Sequence, residues 1–505
     1  MDLSCSASAP QDLDVDLLAI VVDDPTRLPA AAAELDGQLG GALTRELQRG
    51  QVKADAASIV VVTGGATGPG RIALVGYGPE EDGRGDALRV AGSKVAGAAR
   101  GAEARSVAMV TGTDVDDVDA LVTGFVLGAF RIHKYQSPAT TTGDVDTDAE
   151  ASSSKYDGPE SFVVAAPDDA VGEAARAAFA IAEAQNWARD LANAPANRMM
   201  PVDLADRARE LAEAHEHLSF RELGRSEIEA AGMGMFAAVA QGSADDPRLI
   251  VLEWNPPGAD GADDARLALV GKAVVFDTGG ISIKPSGGME DMKLDKSGGC
   301  AVLGAMRAIA ATSVPRRVIA VVGATTNMPD GNAYRPGDVV TAMDGTTVEI
   351  ISTDAEGRLV LGDCITYVKG QGCGAIVEAS TLTGAMVIAL GHRYTGAIAK
   401  KGPLVDAVVA AGERTGDHAW HLPMHDEYKA NLKTACADFK NSGSRDAGAL
   451  SAGSFLGHFA KDVPFVHLDV AGTAMLSKPR MWYGTKGASG WGVRLMTDLA
   501  ASWGS

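Results

Sequence analysis

Short apolar runs alternate with Ala-rich stretches along nearly the whole chain, and this alternation restricts the fold more than any other feature. Residues 17–22, 58–63, 71–75 and 106–110 read as short buried strands, and 30–49 and 87–104 read as helices. Strands alternating with helices build βαβ units around a sheet. One more strand is expected at 161–166, and a long Ala- and Glu-rich helix at 173–193 suits a connector between domains. Between them, residues 136–160 (QSPATTTGDVDTDAEASSSKYDGPE) are mostly turn formers and acids and read as a long exposed loop. Beyond residue 194 the pattern repeats with stronger strands, at 267–276, 317–322, 347–351, 375–378 and 465–470. No internal repeat is evident. We expect two α/β domains: a smaller one over 1–168, and a larger one over 169–505 that begins with the connector helix and has a mixed central sheet flanked by helices.

A chain of 505 residues is long for one domain, which agrees with that division. Sixty glycines and only 5% aromatic residues favour tight βα turns and small-residue packing. The formal net charge of −21 opposes phosphate backbones and anionic membranes, so neither a nucleic acid nor a membrane is an expected partner. The five cysteines (Cys5, Cys300, Cys364, Cys373, Cys436) are scattered and form no CxxC pair, which suits a reducing compartment. The first residues lack the basic and apolar regions of a secretory signal, and no apolar run approaches the ~20 residues needed to span a bilayer. A cytoplasmic setting is expected.

Three stretches of the C-terminal half gather charged residues at or near strand ends. In the first, VGKAVVFDTGG, Lys272 lies in an apolar run and Asp277 at its end before a glycine pair. A lysine there is costly unless neutral or paired, although one that snorkels from a strand edge would look the same. In the second, Lys284 is followed by Asp295, just ahead of a helix through Val302, Met306 and Ile309. Asp295 could equally be a helix cap, worth about 1 kcal/mol. In the third, Thr353-Asp354-Ala355-Glu356-Gly357-Arg358-Leu359 follows the strand expected at 347–351 and leads into a helix over 358–367. D-x-E is commonly a solvated turn, but here two carboxylates and an arginine crowd a strand's carboxyl end, where open α/β sheets bind ligands.

Four carboxylates and a lysine can hold two divalent cations without any histidine. Two cations about 3.5–4 Å apart can share a bridging water and lower its pKa. Oxygen-rich ligation suits Mn²⁺ or Mg²⁺ as well as Zn²⁺, and a ligating lysine must be neutral. The histidines do not compete. His421 and His425 have an i, i+4 spacing, but Pro423 between them argues against a helix, and His392, His418, His458 and His467 match no ligand motif. All six read as structural or surface residues.

These stretches resemble the leucyl aminopeptidase (cytosol aminopeptidase) family. TDAEGRL at 353–359, VGKAVVFDTGGISIKP at 270–285 and MKLD at 292–295 are similar to its signature motifs. So are RDLANAPANRMMP at 189–201, TLTGAMVIALGHRYTG at 381–396, ADFKNSG at 437–443 and HLDVAGTA at 467–474. The likeness covers nearly all of 170–505, and only the general βα pattern before that. It implies a two-metal hydrolase that removes N-terminal residues, Leu and similar apolar ones preferred, from small peptides and aminoacyl amides. The resemblance assigns Lys272, Asp277, Asp295 and Glu356 to the tighter metal, and Asp277, Asp354 and Glu356 to the exchangeable one. Lys284 would stabilise the gem-diolate, and Arg358 would hold a bicarbonate acting as general base, with the backbones of Ala355, Gly357 and Leu382 as its cradle. The side-chain pocket would comprise Met292, Thr381, Gly384, Ala471 and Ala474. A homohexamer, a dimer of trimers, is also implied. Ser352, Ala273 and Lys296-Ser297 depart from the usual family residues, and none of these departures removes a ligand.

Overall fold

The computed structural model describes all residues except 54–56, 79–82, 133–134, 136–155, 259–265, 479–481, 484–485 and 505. Most of the loop expected at 136–160 therefore lies outside the described residues. Contacts divide the chain into two compact units, Met1–Ala182 and Glu183–Ser505, and the division falls within the helix Asp169–Asn193.

Among its described residues the first unit holds six strands: β1 (Asp2–Ser6), β2 (Leu17–Val22), β3 (Ser58–Thr63), β4 (Arg71–Gly76), β5 (Ser106–Val110) and β6 (Ser161–Ala165). They form one sheet in the order β1-β6-β5-β2-β4-β3, parallel except for the edge strand β3. The single helix expected over 30–49 is broken into a 3-10 turn and two short helices, Ala33–Gln38 and Ala42–Gln48. Gly40 and Gly41 take φ of +61° and +81°, which stops the first helix. The buried Asp36 carboxylate then accepts the Leu43 and Thr44 amides and starts the second. Alanine content outweighed the glycine pair in the sequence pattern.

The second unit contains β7 (Leu218–Leu223), β8 (Arg248–Trp254), β9 (Arg266–Asp277), β10 (Val318–Asn327), β11 (Val339–Thr341), β12 (Thr347–Glu349), β13 (Cys373–Ser380), β14 (Thr395–Ala399), β15 (Ala419–Pro423), β16 (Phe439–Lys440) and β17 (Phe465–Asp469). Eight of them make the mixed sheet β15-β14-β17-β13-β9-β10-β8-β7. The central four, β17, β13, β9 and β10, run parallel. They are buried almost throughout, because helices cover both faces of a parallel sheet. β10 runs five residues beyond the apolar stretch expected at 317–322, because Thr325, Thr326 and Asn327 continue it with polar side chains.

One expected strand lies elsewhere. The strand before Thr353-Asp354-Ala355-Glu356 stops at Glu349 and pairs with β11 and β16 in a separate three-stranded sheet. The D-x-E segment therefore reaches the site from a side layer rather than from the main sheet. Local β-propensity reads alike in both, and only the long-range partner distinguishes them.

The helices facing the site begin close against the sheet. The helix Ser297–Ala311 rests on β9 and β13 through glycines. A methyl group on Gly298 would meet the Ala379 carbonyl oxygen at 2.2 Å, and one on Gly271 would meet the Gly299 Cα at 2.6 Å. No helix among the described residues is long and apolar enough to cross a membrane.

Candidate active site

Lys272 is only 3% exposed, so it does not snorkel from the strand edge. Its ammonium stands 2.6 Å from Asp295 Oδ2 and 2.8 Å from Glu356 Oε1. Room for it comes from Gly357, where a Cβ would lie 2.7 Å from the lysine Cε. Burial opposes its charged form, but the carboxylates of Asp295, Glu356 and Asp277 more than offset that, and its pKa stands raised.

Asp277 ends β9 where the chain turns through Gly279 and Gly280, at φ of +86° and +68°. Its Oδ1 accepts the Gly279 amide and the Asn327 side-chain amide, and its Oδ2 lies 2.6 Å from Lys284 Nζ. Lys284 also bonds Asp354 and lines the same site. Asp295 follows the 3-10 turn Met289–Leu294 and is no helix cap. The helix at Ser297 has no side-chain cap, and the Asp295 carboxylate accepts the Thr381 hydroxyl at 2.7 Å instead. Glu356 is buried at the start of the helix Gly357–Gly370, so it is not a solvated turn residue; Asp354 is exposed. Burial raises the carboxyl pKa of Glu356, Asp295 and Asp354, with neighbouring carboxylates adding to it and the lysines opposing.

Arg358, almost wholly buried, donates to the Asn441 carbonyl at 2.7 Å, and burial brings its guanidinium down to about 10. Asn441 in turn caps the backbone of Ile351 and Ser352. Thus the departure at Ser352 leaves that turn tied in place.

All seven charged residues singled out in the sequence line one cavity of about 320 Å³. Met292, Thr381, Gly384 and Ala471 line it as well. Ala474 is buried and outside the lining, and the adjacent Met475 takes part in it, together with Leu382, Thr383 and Val387. A one-residue displacement in a turn is beyond what motif spacing resolves. Among the described residues no histidine lines the cavity. His421 lies in strand β15, His425 starts the helix Asp426–Ala430, and His467 pairs with Glu378 in the core. Sequence reasoning also missed Asp469, whose buried carboxylate accepts the amides of Leu382, Thr383 and Ala471 and thereby ties two cavity walls together.

The donor set suits divalent cations. One carboxylate oxygen each from Asp277, Asp354 and Glu356 lies within 4.8 Å of the others, and Glu356 Oε2 is buried without a hydrogen-bond donor. Oxygen-only ligation of this kind fits hard or borderline cations.

Comparison with known proteins agrees with this chemistry. A model described as the cytosol aminopeptidase family catalytic domain matches residues 186–497, and that family's N-terminal domain model matches 19–139. The chain belongs to the cytosol aminopeptidase family. It is a metal-dependent aminopeptidase, a hydrolase of the metallo-exopeptidase kind. A probable cytosol aminopeptidase of Solibacter usitatus is 46% identical over 384 residues, covering 76% of each protein. One of Alkaliphilus oremlandii is 38% identical over 479 residues, covering 93% of this chain and 92% of its own. Among solved structures, the bottromycin maturation enzyme BotP in complex with Mn superposes with a TM-score of 0.82 at 31% identity, covering 96% of this chain and 99% of its own. A tomato leucine aminopeptidase variant gives 0.84 at 30%, covering 99% and 96%.

Proposed function

We propose that this aminopeptidase releases Leu and similar apolar residues from the N-termini of small peptides and aminoacyl amides, using two divalent cations. Lys272, Asp277, Asp295 and Glu356 would hold one, and Asp277, Asp354 and Glu356 the other, with Mn²⁺ or Zn²⁺ favoured and Mg²⁺ as a third option. When bound, the pair would supply Lewis acidity to activate water and polarise the scissile carbonyl. The observation that carries this reading is the convergence of three separate carboxylate-bearing segments and two lysines on a single small cavity.

The chain's own residues take the remaining roles. Lys284 keeps a positive charge at the cavity, since Asp277, Glu356 and Asp354 hold its pKa raised against the effect of burial. It would stabilise negative charge that develops on the substrate oxygen. Lys272 owes its charge to the same carboxylates that would ligate a cation, so cation binding favours the neutral amine that ligation needs. Arg358, beside Ala355, Gly357 and Leu382 in the wall, would hold bicarbonate, which would supply a general base there. Met292, Met475, Val387 and Leu382 give the side-chain site its apolar character and support the preference for Leu. A homohexamer, a dimer of trimers, and a cytoplasmic setting complete the proposal; five free cysteines suit the latter.

The test is hydrolysis of a leucyl chromogenic amide with Mn²⁺ or Zn²⁺, with chelator, and in the variants Lys284→Ala and Asp354→Ala. We expect chelator to abolish activity and Lys284→Ala to lower kcat by about 10²–10³-fold, as for loss of a transition-state charge partner. Full activity in chelator, or in both variants, would overturn the mechanism.

A further inference from the structure

β10 and β9 pair in parallel until their register shifts between Thr325 and Asn327, and the shift sets Asn327 opposite Asp277. Asn327 is completely buried. Its Nδ2 donates to Asp277 Oδ1 at 2.8 Å and to the Thr353 carbonyl at 3.0 Å. Both partners only accept, so the amide nitrogen must face them, and neither an acid nor an apolar side chain could replace it. Its Oδ1 is buried without a hydrogen-bond partner, so the bonds this side chain makes are those of its nitrogen. The Asn327 backbone carbonyl also accepts the Thr278 amide and hydroxyl, at 3.0 and 2.8 Å.

The Thr353 carbonyl receives a second donor, the buried Tyr334 hydroxyl at 2.8 Å. The Thr353 hydroxyl donates to the Gly279 carbonyl and accepts the Ser282 amide. Thus the loop that carries Asp277 and Lys284 and the segment that carries Asp354 and Glu356 are stitched together, and among the described residues Asn327 alone bonds directly to both a carboxylate of one and the backbone of the other.

We infer that Asn327, seconded by Tyr334, is the positioning residue that sets the separation of the two ligand-bearing loops and turns Asp277 so that Oδ2 faces the cavity. This rests on the reading of Asp277 as a metal ligand. A donor that orients a ligating carboxylate acts on cation affinity before it acts on turnover.

The test titrates chelator-treated Asn327→Asp, Tyr334→Phe and Asp277→Ala proteins with Mn²⁺ by calorimetry, alongside their unfolding midpoints in excess chelator and the KM and kcat at saturating Mn²⁺. Asn327→Asp keeps the size but turns the donor into an acceptor. It should weaken Mn²⁺ binding by about 10–100-fold. Tyr334→Phe, which loses one of two donors to Thr353, should weaken it by about fivefold. Tyr334→Phe should keep a midpoint in chelator near that of the parent, Asn327→Asp should lower its own because a buried acceptor then faces two acceptors, and saturating Mn²⁺ should restore most of kcat in both. Parent-like Mn²⁺ affinity in Asn327→Asp would overturn the inference. If that variant does not fold, parent-like affinity in Tyr334→Phe overturns it instead. Asp277→Ala separates the two readings. Unchanged affinity there removes the ligand assignment itself, whereas loss there with none in Asn327→Asp removes only the role of Asn327.

Discussion

Asp469 shows how one buried side chain can govern a surface it does not touch. Its Oδ1 gathers the amides of Leu382, Thr383 and Ala471, and its Oδ2 accepts the Thr383 hydroxyl at 2.6 Å. Asp469→Ala would leave those amides without an acceptor, and the walls for the substrate side chain would lose their tie. We expect KM for a leucyl amide to rise about tenfold, the effect of ~1.4 kcal/mol of lost binding, with a smaller change in kcat. Steady-state kinetics checks it, and a fall in kcat alone would contradict it. Residues of this kind were not legible in the sequence. Lys272, Asp277, Asp295, Asp354 and Glu356 stood out because each is a charge set in or beside an apolar run or a glycine turn. Asp469 ends an ordinary apolar strand, and Asn327 gains its position from a register shift between two strands, so neither carries a local signal.

Among the elements, the central strands β17, β13, β9 and β10 of the main sheet were legible because both faces are buried and the runs are continuously apolar, whereas the outer strands β7, β8, β14 and β15 were not read from the sequence. The sheet to which β12 belongs was not, since pairing partners distant in sequence decide it. The helix Gly357–Gly370 also carries a buried acid that its apolar pattern hides. Asp363 accepts the backbone amides of Phe236 at 2.9 Å and Met343 at 2.8 Å, so it fastens the helix Gly234–Ala240 and the chain after β11. Burial, only partly opposed by those hydrogen bonds, raises its carboxyl to about 7. A raised acid pKa means that the folded state holds the proton more tightly. The contribution is therefore fully present below the ordinary value near 3.8 and is lost as pH rises through about 7. Asp363→Asn has no such titration and leaves one amide without an acceptor, at a cost of about 1–3 kcal/mol. The parent's unfolding midpoint should exceed that of the variant, by more at pH 5.5 than at pH 8. A gap that widens towards pH 8 would show the opposite sign.

For the whole molecule, a formal charge of −21 dominates encounters with other polyelectrolytes. Low salt, which strengthens protein–DNA association through counterion release, should still give no shift of duplex DNA in a gel. A salt-sensitive shift would reveal a basic patch hidden within that average. The two-unit α/β plan was readable from the alternation of runs. The seating of the helix Ser297–Ala311 on the sheet was not, because glycines leave no side-chain pattern. That seating has a dynamic consequence. With Gly271 against Gly299, and Gly298 against the Ala379 carbonyl, backbone meets backbone where the helix starts on the strands. Amide protons of β9 and of the first turns after Ser297 should then exchange with solvent water together, at the slow rate of a single cooperative opening. The carboxylate of Asp295 would keep its aim for as long as the sheet itself stays closed.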